Sequence, residues 1–503
     1  MRRLTDLLFR PRSIAPLVTF RVVMGLLLCV GILRTWQQGW IERLYLEPQF
    51  FFKFPYFEWV PHPGETGIYW LFGIAALSAL FIALGLLYRL SALSFFLSFS
   101  WIQLIDATNY LNHYYLVCLI GLLLIFVPAN RAYSLDVFFG WVERRAQISA
   151  WCIHIFVFQL TLVYTFAGIA KINYEWLFRA MPLRIWLPEH TDLPLLGYFF
   201  QFTWFAYLFS WAGMLYDLTI AYFLLWRNTR PVAYFFVVVF HLMTMLLFNI
   251  GLFPAIMIAA TLIFFSDRWH LRLWNFVESV GTLFGNSRKV AINDRSDFLF
   301  TNSKNLKPAN KLTTKFLGVK REVFVNQKDV VREILNEENN SFKSEVLLVI
   351  FGCYFAFQLF LPLRHITYNG DLLWKEDSYR FGWRVMLVEK TGNATFYVQD
   401  SASPKRQEVI STTYLTDYQA KQMAIQPDFI LQFAHFLHDE FEREHGFVDP
   451  VVTADIFVAI NGKMSARFVD PTVNLAAQRE EWGRRSWVMD PAENRSGSVD
   501  RSF

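Results

Sequence analysis

Cysteine is scarce in this 503-residue chain: there are four, Cys29, Cys118, Cys152 and Cys353, and each sits inside an apolar run. No CxxC spacing occurs, so a disulfide scaffold, a zinc knuckle and a dithiol redox centre are all excluded, and the four read as small core residues. Charge is also scarce, at 18% of residues, against about a quarter in a soluble globular domain. The balance of 47 basic and 42 acidic side chains leaves a net charge of only +5, which does not suit a nucleic-acid-binding face. No P-loop, GxGxxG or HExxH pattern is present, so nucleotide binding and zinc hydrolysis have no support. The basic start Met1–Arg12 precedes an apolar run that lacks a small-residue cleavage site, so no cleavable signal peptide is expected.

What is abundant is apolar and aromatic: 54% of residues are hydrophobic, with 53 Phe, 21 Tyr and 18 Trp. Apolar runs long enough for about 30 Å of hydrocarbon fall near 14–33, 68–88, 90–105, 113–129, 150–172, 203–226, 231–250, 252–266 and 345–362. The fold class expected is therefore a polytopic α-helical membrane protein of about nine spans. Arg2, Arg3, Arg10 and Arg12 place the N-terminus in the cytoplasm by the positive-inside rule. On that choice Arg89, Arg131, Arg144, Arg145, Arg227, Arg230 and the basic stretch 267–343 (14 Lys or Arg against 9 Asp or Glu) fall on the same side.

The expected organisation is a transmembrane domain over 1–266, a cytoplasmic basic loop over 267–343 and a last transmembrane helix over 344–362. An exoplasmic, mostly β domain follows over 363–490, then a disordered tail over 491–503. Within the loop, Trp269–Trp274 reads as an interfacial amphipathic helix. In the C-terminal part Arg384–Glu389, Ala394–Gln399, Val409–Tyr414 and Ile456–Ile460 have strand-like content, and Asn461-Gly462 signals a two-residue hairpin before Met464–Val469. Gln426–His445 carries Phe429, Ile430, Phe433, Phe436, Leu437 and Phe441 at helical spacing.

Ionisable residues within spans are costly and point to function. They are few here: Arg21, His113, His154, Lys171, Asp217 and His241. On the derived topology His113, Lys171 and the nearby Arg184 share the exoplasmic mouth, whereas His241 falls midway through its span. Lys171 reads either as a span-ending lysine snorkelling to the interface or as a desolvated amine able to act as a base. His113 reads as a helix-end histidine bonded to backbone or as a site residue, His154 as structural, and Arg21 and Asp217 as a buried pair or separate packed charges.

Several motifs, in order along residues 14–490, resemble the vitamin K-dependent γ-glutamyl carboxylases. The membrane half resembles the HTTM domain of that family in Phe20-Arg21, Leu86-Leu87-Tyr88-Arg89, Asn112-His113-Tyr114-Tyr115-Leu116, Phe166-Ala167-Gly168-Ile169-Ala170-Lys171 and the stretch from His241 to Phe253. The C-terminal half resembles the lumenal domain in Leu361-Pro362-Leu363-Arg364-His365, Tyr379-Arg380-Phe381-Gly382-Trp383, Asp455–Asn461, Arg467-Phe468-Val469-Asp470-Pro471 and Ser486-Trp487-Val488. The resemblance implies oxidation of reduced vitamin K (a hydroquinone) by O2 to the epoxide, coupled to carboxylation of a protein glutamate with CO2 and no metal. It implies Lys171 as the base acting on the hydroquinone and His113 as an active-site histidine. Asn112, Arg184 and Tyr379 would contact substrate, and His241, Asn249, Phe253, Trp383 and Met386 would line the cofactor site.

The chain departs from the animal enzymes in Ala170, where they carry a second lysine, and in having no cysteine in 34–67 or 363–503. It also stops soon after Ser486-Trp487. These departures suggest a short homologue in a bacterial cell membrane rather than the endoplasmic reticulum, with a glutamate-containing protein and the lipid bilayer as partners and no nucleic acid. Quinol epoxidation without protein carboxylation, and a non-enzymatic lipid-binding membrane protein, remain the alternative readings.

Overall fold

The computed structural model describes residues 2–248, 250–284, 327–368, 370–479 and 485–491. Helix α1 (Arg2–Phe9) leads into a three-residue strand β1 (Pro11–Ser13), paired antiparallel with β2 (Gln147–Ser149). Between these strands run α2 (Ala15–Gln37), α3 (Gly64–Leu84), α4 (Tyr88–Ile105), α5 (Asn112–Phe126) and the short α6 (Leu135–Phe138). Beyond β2 come α7 (Trp151–Ala170), the short helices α8 (Tyr174–Arg179), α9 (Leu183–Trp186) and α10 (Gly197–Phe200), and the long pair α11 (Thr203–Leu225) and α12 (Arg230–Leu247). Helices α13 (Phe253–Ala260), α14 (Asp267–Phe284) and α15 (Gln327–Leu363) complete the helical body.

Helices occupy all nine predicted apolar segments. Among the described residues, six are long and apolar enough to cross a membrane: α2, α3, α7, α11, α12 and Glu345–Thr367, the second half of α15 with the 3-10 turn after it. The other three fall short in different ways. Helix α4 carries four serines and Gln103 in its 18 residues, α5 has 15 residues, and α13 has eight before a 3-10 turn, against about 20 for a full crossing. Trp269–Trp274 is helical, within α14, while residues 285–326 of the expected loop and the tail from Ala492 lie outside the described residues.

Two glycines set the closest helix contacts. A Cβ on Gly25 of α2 would stand 2.6 Å from the backbone nitrogen of Ala83 on α3, so only glycine allows that approach. A Cβ on Gly168 of α7 would stand 2.7 Å from the backbone nitrogen of Leu218 on α11, which joins α7 to α11 one turn before Lys171. Of the cysteines, all four are free; Cys152 is buried and Cys29 and Cys118 half-buried, as core residues should be. Cys353 departs from that reading. It is exposed on α15, whose spanning window is only 11% buried, so this helix lies at the edge of the bundle.

The C-terminal part is not mostly β; it is mixed. A four-stranded antiparallel sheet in the order β4-β3-β5-β6 is built from β3 (Lys390–Gln399), β4 (Arg406–Val409), β5 (Val451–Ile460) and β6 (Ala466–Arg467), which interleave with helices. Those helices are α16 (Leu372–Lys375), α17 (Asp417–Met423) and α18 (Pro427–His445). Val452, Ala454, Ile456 and Val458 alternate inward on β5 against Phe429, Ile430, Phe433, Leu437 and Phe441 of α18, so both predicted patterns pack face to face. Asn461 and Gly462 both have positive φ, 51° and 69°, and Lys463 N–H donates to the Ile460 carbonyl at 3.0 Å, the primed turn expected between β5 and β6. Arg384–Glu389 does not form the expected strand, and of Val409–Tyr414 only Val409 is in a strand, at the end of β4. In the first, Asn112 Nδ2 donates to the Arg384 carbonyl (2.7 Å) and Trp186 Nε1 to the Glu389 carboxylate (2.6 Å), while the Glu389 backbone N–H and carbonyl bond Asn461. The second turns into a 3-10 helix over Ser411–Thr413.

This part docks on one end of the helical body. Phe52, Phe54 and Ala107, from the loops before α3 and after α4, are buried in its core. Gln419 donates to Asp106 (2.7 Å) and to the Phe50 carbonyl (2.8 Å), and Tyr418 to the Thr108 carbonyl (3.0 Å). The same end carries Lys171.

Candidate functional site

Helix α7 ends at Ala170, and the chain turns at once: Asn173 caps α8 by accepting from Trp176 N–H at 2.9 Å. Trp176 is then pinned beneath α11 by its indole N–H, which donates to the Ser210 carbonyl at 2.8 Å, and by the return bond from Ser210 Oγ to its own carbonyl. Lys171 sits in the corner so formed. It is buried, 7% exposed, with Nζ 5.3 Å from the centre of the Trp176 ring. Its ammonium donates to Asp217 Oδ2 at 2.7 Å and to the Ala167 carbonyl at 3.3 Å. Two buried opposite charges in an apolar helix bundle form a high-stakes pair, since either alone would be strongly unfavourable there.

The Lys171–Asp217 pair stands on the wall of a cavity of about 790 Å³ between α7, α11, α12 and α13. His241 of α12 is on the same wall, buried, with Nε2 3.0 Å from the Tyr164 hydroxyl. Among the described residues its Nδ1 is buried without a hydrogen-bond partner. Elsewhere the wall is largely apolar: Val163, Ala167, Phe209, Phe240, Leu247 and Met257. It continues along α11 and α12 to Asn228 and Thr229 at their far ends, past Leu215, Phe223, Val232, Phe236 and Val239, whose side chains are also exposed on the outside of the bundle. A 23-residue helix is about 35 Å long, so the groove is polar at one end and runs a bilayer leaflet or more beside lipid.

Of the residues expected at the site, Lys171, His241, Phe253 and Met386 line this cavity together. Met386 comes from the C-terminal part, so both halves of the chain close the polar end. His113 is behind Phe253, stacked on its ring at 5.1 Å between centroids and 27° between planes. Asn112 lies further along that edge with both ends of its amide engaged, accepting from the Tyr110 hydroxyl at 3.0 Å and donating to the Arg384 carbonyl. Trp383 is buried and stacks on Tyr115 at 5.0 Å, outside the cavity wall. Tyr379 is half-buried and also outside it, and burial pushes its phenol above the usual range. Arg184 is exposed on α9, whose Leu183 and Trp186 do line the cavity. Asn249 lies outside the described residues.

Asp217 was legible as an ionisable residue within a span but its partner was not. Arg21 does not pair with it. The Arg21 guanidinium is buried elsewhere, donating to the carbonyls of Ala129 (2.9 Å), Ala132 (3.4 Å) and Tyr133.

Comparison with known protein families gives two matches that follow the two halves of the chain. The HTTM domain matches residues 9–269, more than half of the chain, and the vitamin K-dependent gamma-carboxylase lumenal domain matches residues 343–494. The chain belongs to the vitamin K-dependent γ-carboxylase family. No solved structure matches the chain significantly. Membership of this family implies use of vitamin K. The cavity fits such a group on its own terms: it has a long apolar groove for an isoprenoid or phytyl chain, and at its polar end a buried cation, a buried carboxylate and the unpartnered His241 Nδ1. Among the described residues there is no group of His, Cys, Asp and Glu able to hold a metal ion.

Proposed function

We propose that this family member oxidises reduced vitamin K to its epoxide with O2 and couples the oxidation to carboxylation of a protein-bound glutamate with CO2. The observation that carries the reading is the Lys171–Asp217 pair, 2.7 Å long and buried, at the polar head of an apolar cavity open to lipid along its length. When bound and oxidised, the hydroquinone supplies the base that removes a glutamate γ-proton, a base no side chain provides near neutral pH. The chain's own residues manage the first proton. A shift from Nζ to Asp217 Oδ2 along their hydrogen bond frees the Lys171 lone pair, which takes the proton of a phenolic O–H. His241 Nδ1 would hold a ring oxygen on the same wall, and Phe253 and Met386 would pack the ring. Burial excludes the water that would quench a strong base.

His113, one ring layer behind Phe253, serves the carbanion and CO2 stage, reached when Phe253 moves. Asn112 holds the Arg384 segment against α5 and Trp383 stacks behind it. Arg184 and Tyr379 meet the glutamate carboxylate where α9 and residues 379–389 face each other. The proposed division is 1–266, 267–343, 344–362, 363–490 and 491–503, with the N-terminus cytoplasmic and the C-terminal domain exoplasmic in a bacterial cell membrane. The test is purified protein with reduced vitamin K, O2, a glutamate peptide and labelled bicarbonate. Epoxide and labelled peptide are expected, and both should vanish in Lys171→Ala. Epoxide without label would remove the carboxylation half, and no epoxide from the intact protein would end the proposal.

A further inference from the structure

At the end of α7 remote from Lys171 there is a second cavity, of about 430 Å³, with a different character. Arg10, Arg12, His154, Arg227, Arg230 and Ser266 line its polar side. His154 is the fourth residue of α7 and Lys171 follows its last, so the basic cavity lies about 25 Å along one helix from Lys171, while the far end of the first cavity, at Asn228 and Thr229, adjoins it at Arg227 and Arg230. Its arginines are therefore too far from Lys171 to touch the reacting groups proposed above.

Four arginines converge here from three separate places: the β1 strand and its approach, the α11–α12 turn, and the start of α12. The β1–β2 pairing fixes the first, with Arg12 opposite Ile148. Arg230 is held rigidly, its Nε donating to the Leu224 carbonyl at 2.7 Å and its Nη2 to the Leu225 carbonyl at 2.9 Å. Arg12 is paired with Asp267. Among the described residues the side chains of Arg10, Arg227 and His154 make no hydrogen bond or ion pair, and no second carboxylate approaches. The described wall thus gathers four cations against one anion, a repulsive arrangement unless an anion completes it.

The other side of the cavity is apolar: Val157, Leu225 and Phe265 line it. Leu225 is 46% exposed on the outside of the bundle, and Trp226 next to it is 63% exposed, as expected for an aromatic residue at a membrane interface. We propose that this cavity binds the phosphate head group of an anionic phospholipid, with its acyl chains lying along the outer faces of α7 and α11. Basic pockets between the ends of membrane helices hold such head groups, at about 1 kcal/mol for each cation near the surface. The exposed apolar flank favours a lipid over a soluble phosphate, which would leave that surface unmatched.

The test uses the full chain in nanodiscs of phosphatidylcholine doped with phosphatidate, with bound lipid read by native mass spectrometry. Phosphatidate is expected to bind in preference to phosphatidylcholine, and the double variant Arg10→Gln/Arg227→Gln, whose two side chains support no other residue, should bind it about 30-fold more weakly. Epoxide formation should persist in that variant if the reading of the Lys171 site holds, which separates the two proposals. Equal binding of phosphatidate by the parent and the variant, or no preference over phosphatidylcholine, overturns the inference. Saturation by inorganic phosphate alone, lost in the variant and without lipid preference, overturns the assignment to lipid.

Discussion

Consider replacing both members of the buried pair, Lys171→Met and Asp217→Leu, singly and together. At 2.7 Å and an effective dielectric constant near 20, the attraction between the two charges is about 6 kcal/mol. Burying each charge costs about 2–3 kcal/mol against that sum. Each single variant therefore loses the attraction but recovers one burial cost, a net loss of about 3–4 kcal/mol. The double variant recovers both and should lie within about 1 kcal/mol of the parent, a coupling of about 6 kcal/mol. Unfolding by sodium dodecyl sulfate in mixed micelles, followed by tryptophan fluorescence, measures the three differences. Additive losses in the double variant would refute the ion pair. The double variant also separates stability from chemistry. It should be folded like the parent yet form no epoxide, because the amine is gone; epoxide from it would refute Lys171 as the base.

Other outcomes follow from the packing. Gly168→Ala should push α11 from α7 by its clash with the Leu218 nitrogen, costing about 1–3 kcal/mol and most epoxide formation, whereas Gly25→Ala should cost similar stability at α3 and leave the activity of the folded fraction intact. Asp428→Asn should cost about 3 kcal/mol in thermal unfolding, since Arg380 donates to its carboxylate at 2.5 Å. Burial alone would raise the Asp428 carboxyl, but Arg380 outweighs it and holds it below the usual range; this stabilisation is present above about pH 4 and is lost as pH falls below that. Asp106 has the opposite sign. Burial raises its carboxyl to about 6, so the folded chain binds more protons than the unfolded one between about pH 4 and 6, and stability falls as pH rises through that window. Asp106→Asn should flatten this slope, read as unfolding midpoints at pH 4.5 and 6.5; an unchanged slope would remove Asp106 as its source.

Much of this was legible in the sequence because it is local. Apolar runs, the strand content of Ile456–Ile460 in β5, the helical spacing in α18 and the Asn461-Gly462 turn each depend on a few consecutive residues, and each is found where expected. The failures are of reach. Arg384–Glu389 has strand composition, but the Arg384 carbonyl accepts from Asn112, 272 residues away, and only Glu389 at its end bonds the sheet side, through Asn461, so no local signal marks where its ladder fails. Asp217 was visible as a costly charge, but pairing it with Lys171 rather than Arg21 depends on the Gly168–Leu218 contact, a matter of helix packing. The hydrogen bonds that Arg21 makes go to carbonyls, which carry no sequence signal.

The same distinction bears on the site. Residues held on helices that share the cavity, Lys171, His241 and Phe253, are brought together by α7, α12 and α13 alone. Those that would meet the glutamate are not: Arg184 lies on a four-residue helix and Tyr379 in an irregular segment, and neither reaches the cavity wall. The two stages of the proposed reaction thus differ in how rigidly the fold provides for them. Quinol oxidation draws on a preformed pocket, whereas carboxylation draws on loops at the junction of the two halves, where Val385 and Met386 cross into the cavity. Met386→Ala should therefore weaken the linkage more than the oxidation, raising epoxide formed per carboxylated glutamate. The ratio of epoxide to incorporated label measures this directly, and a parallel fall in both would show that the junction is as much a part of the quinol pocket as α7 is.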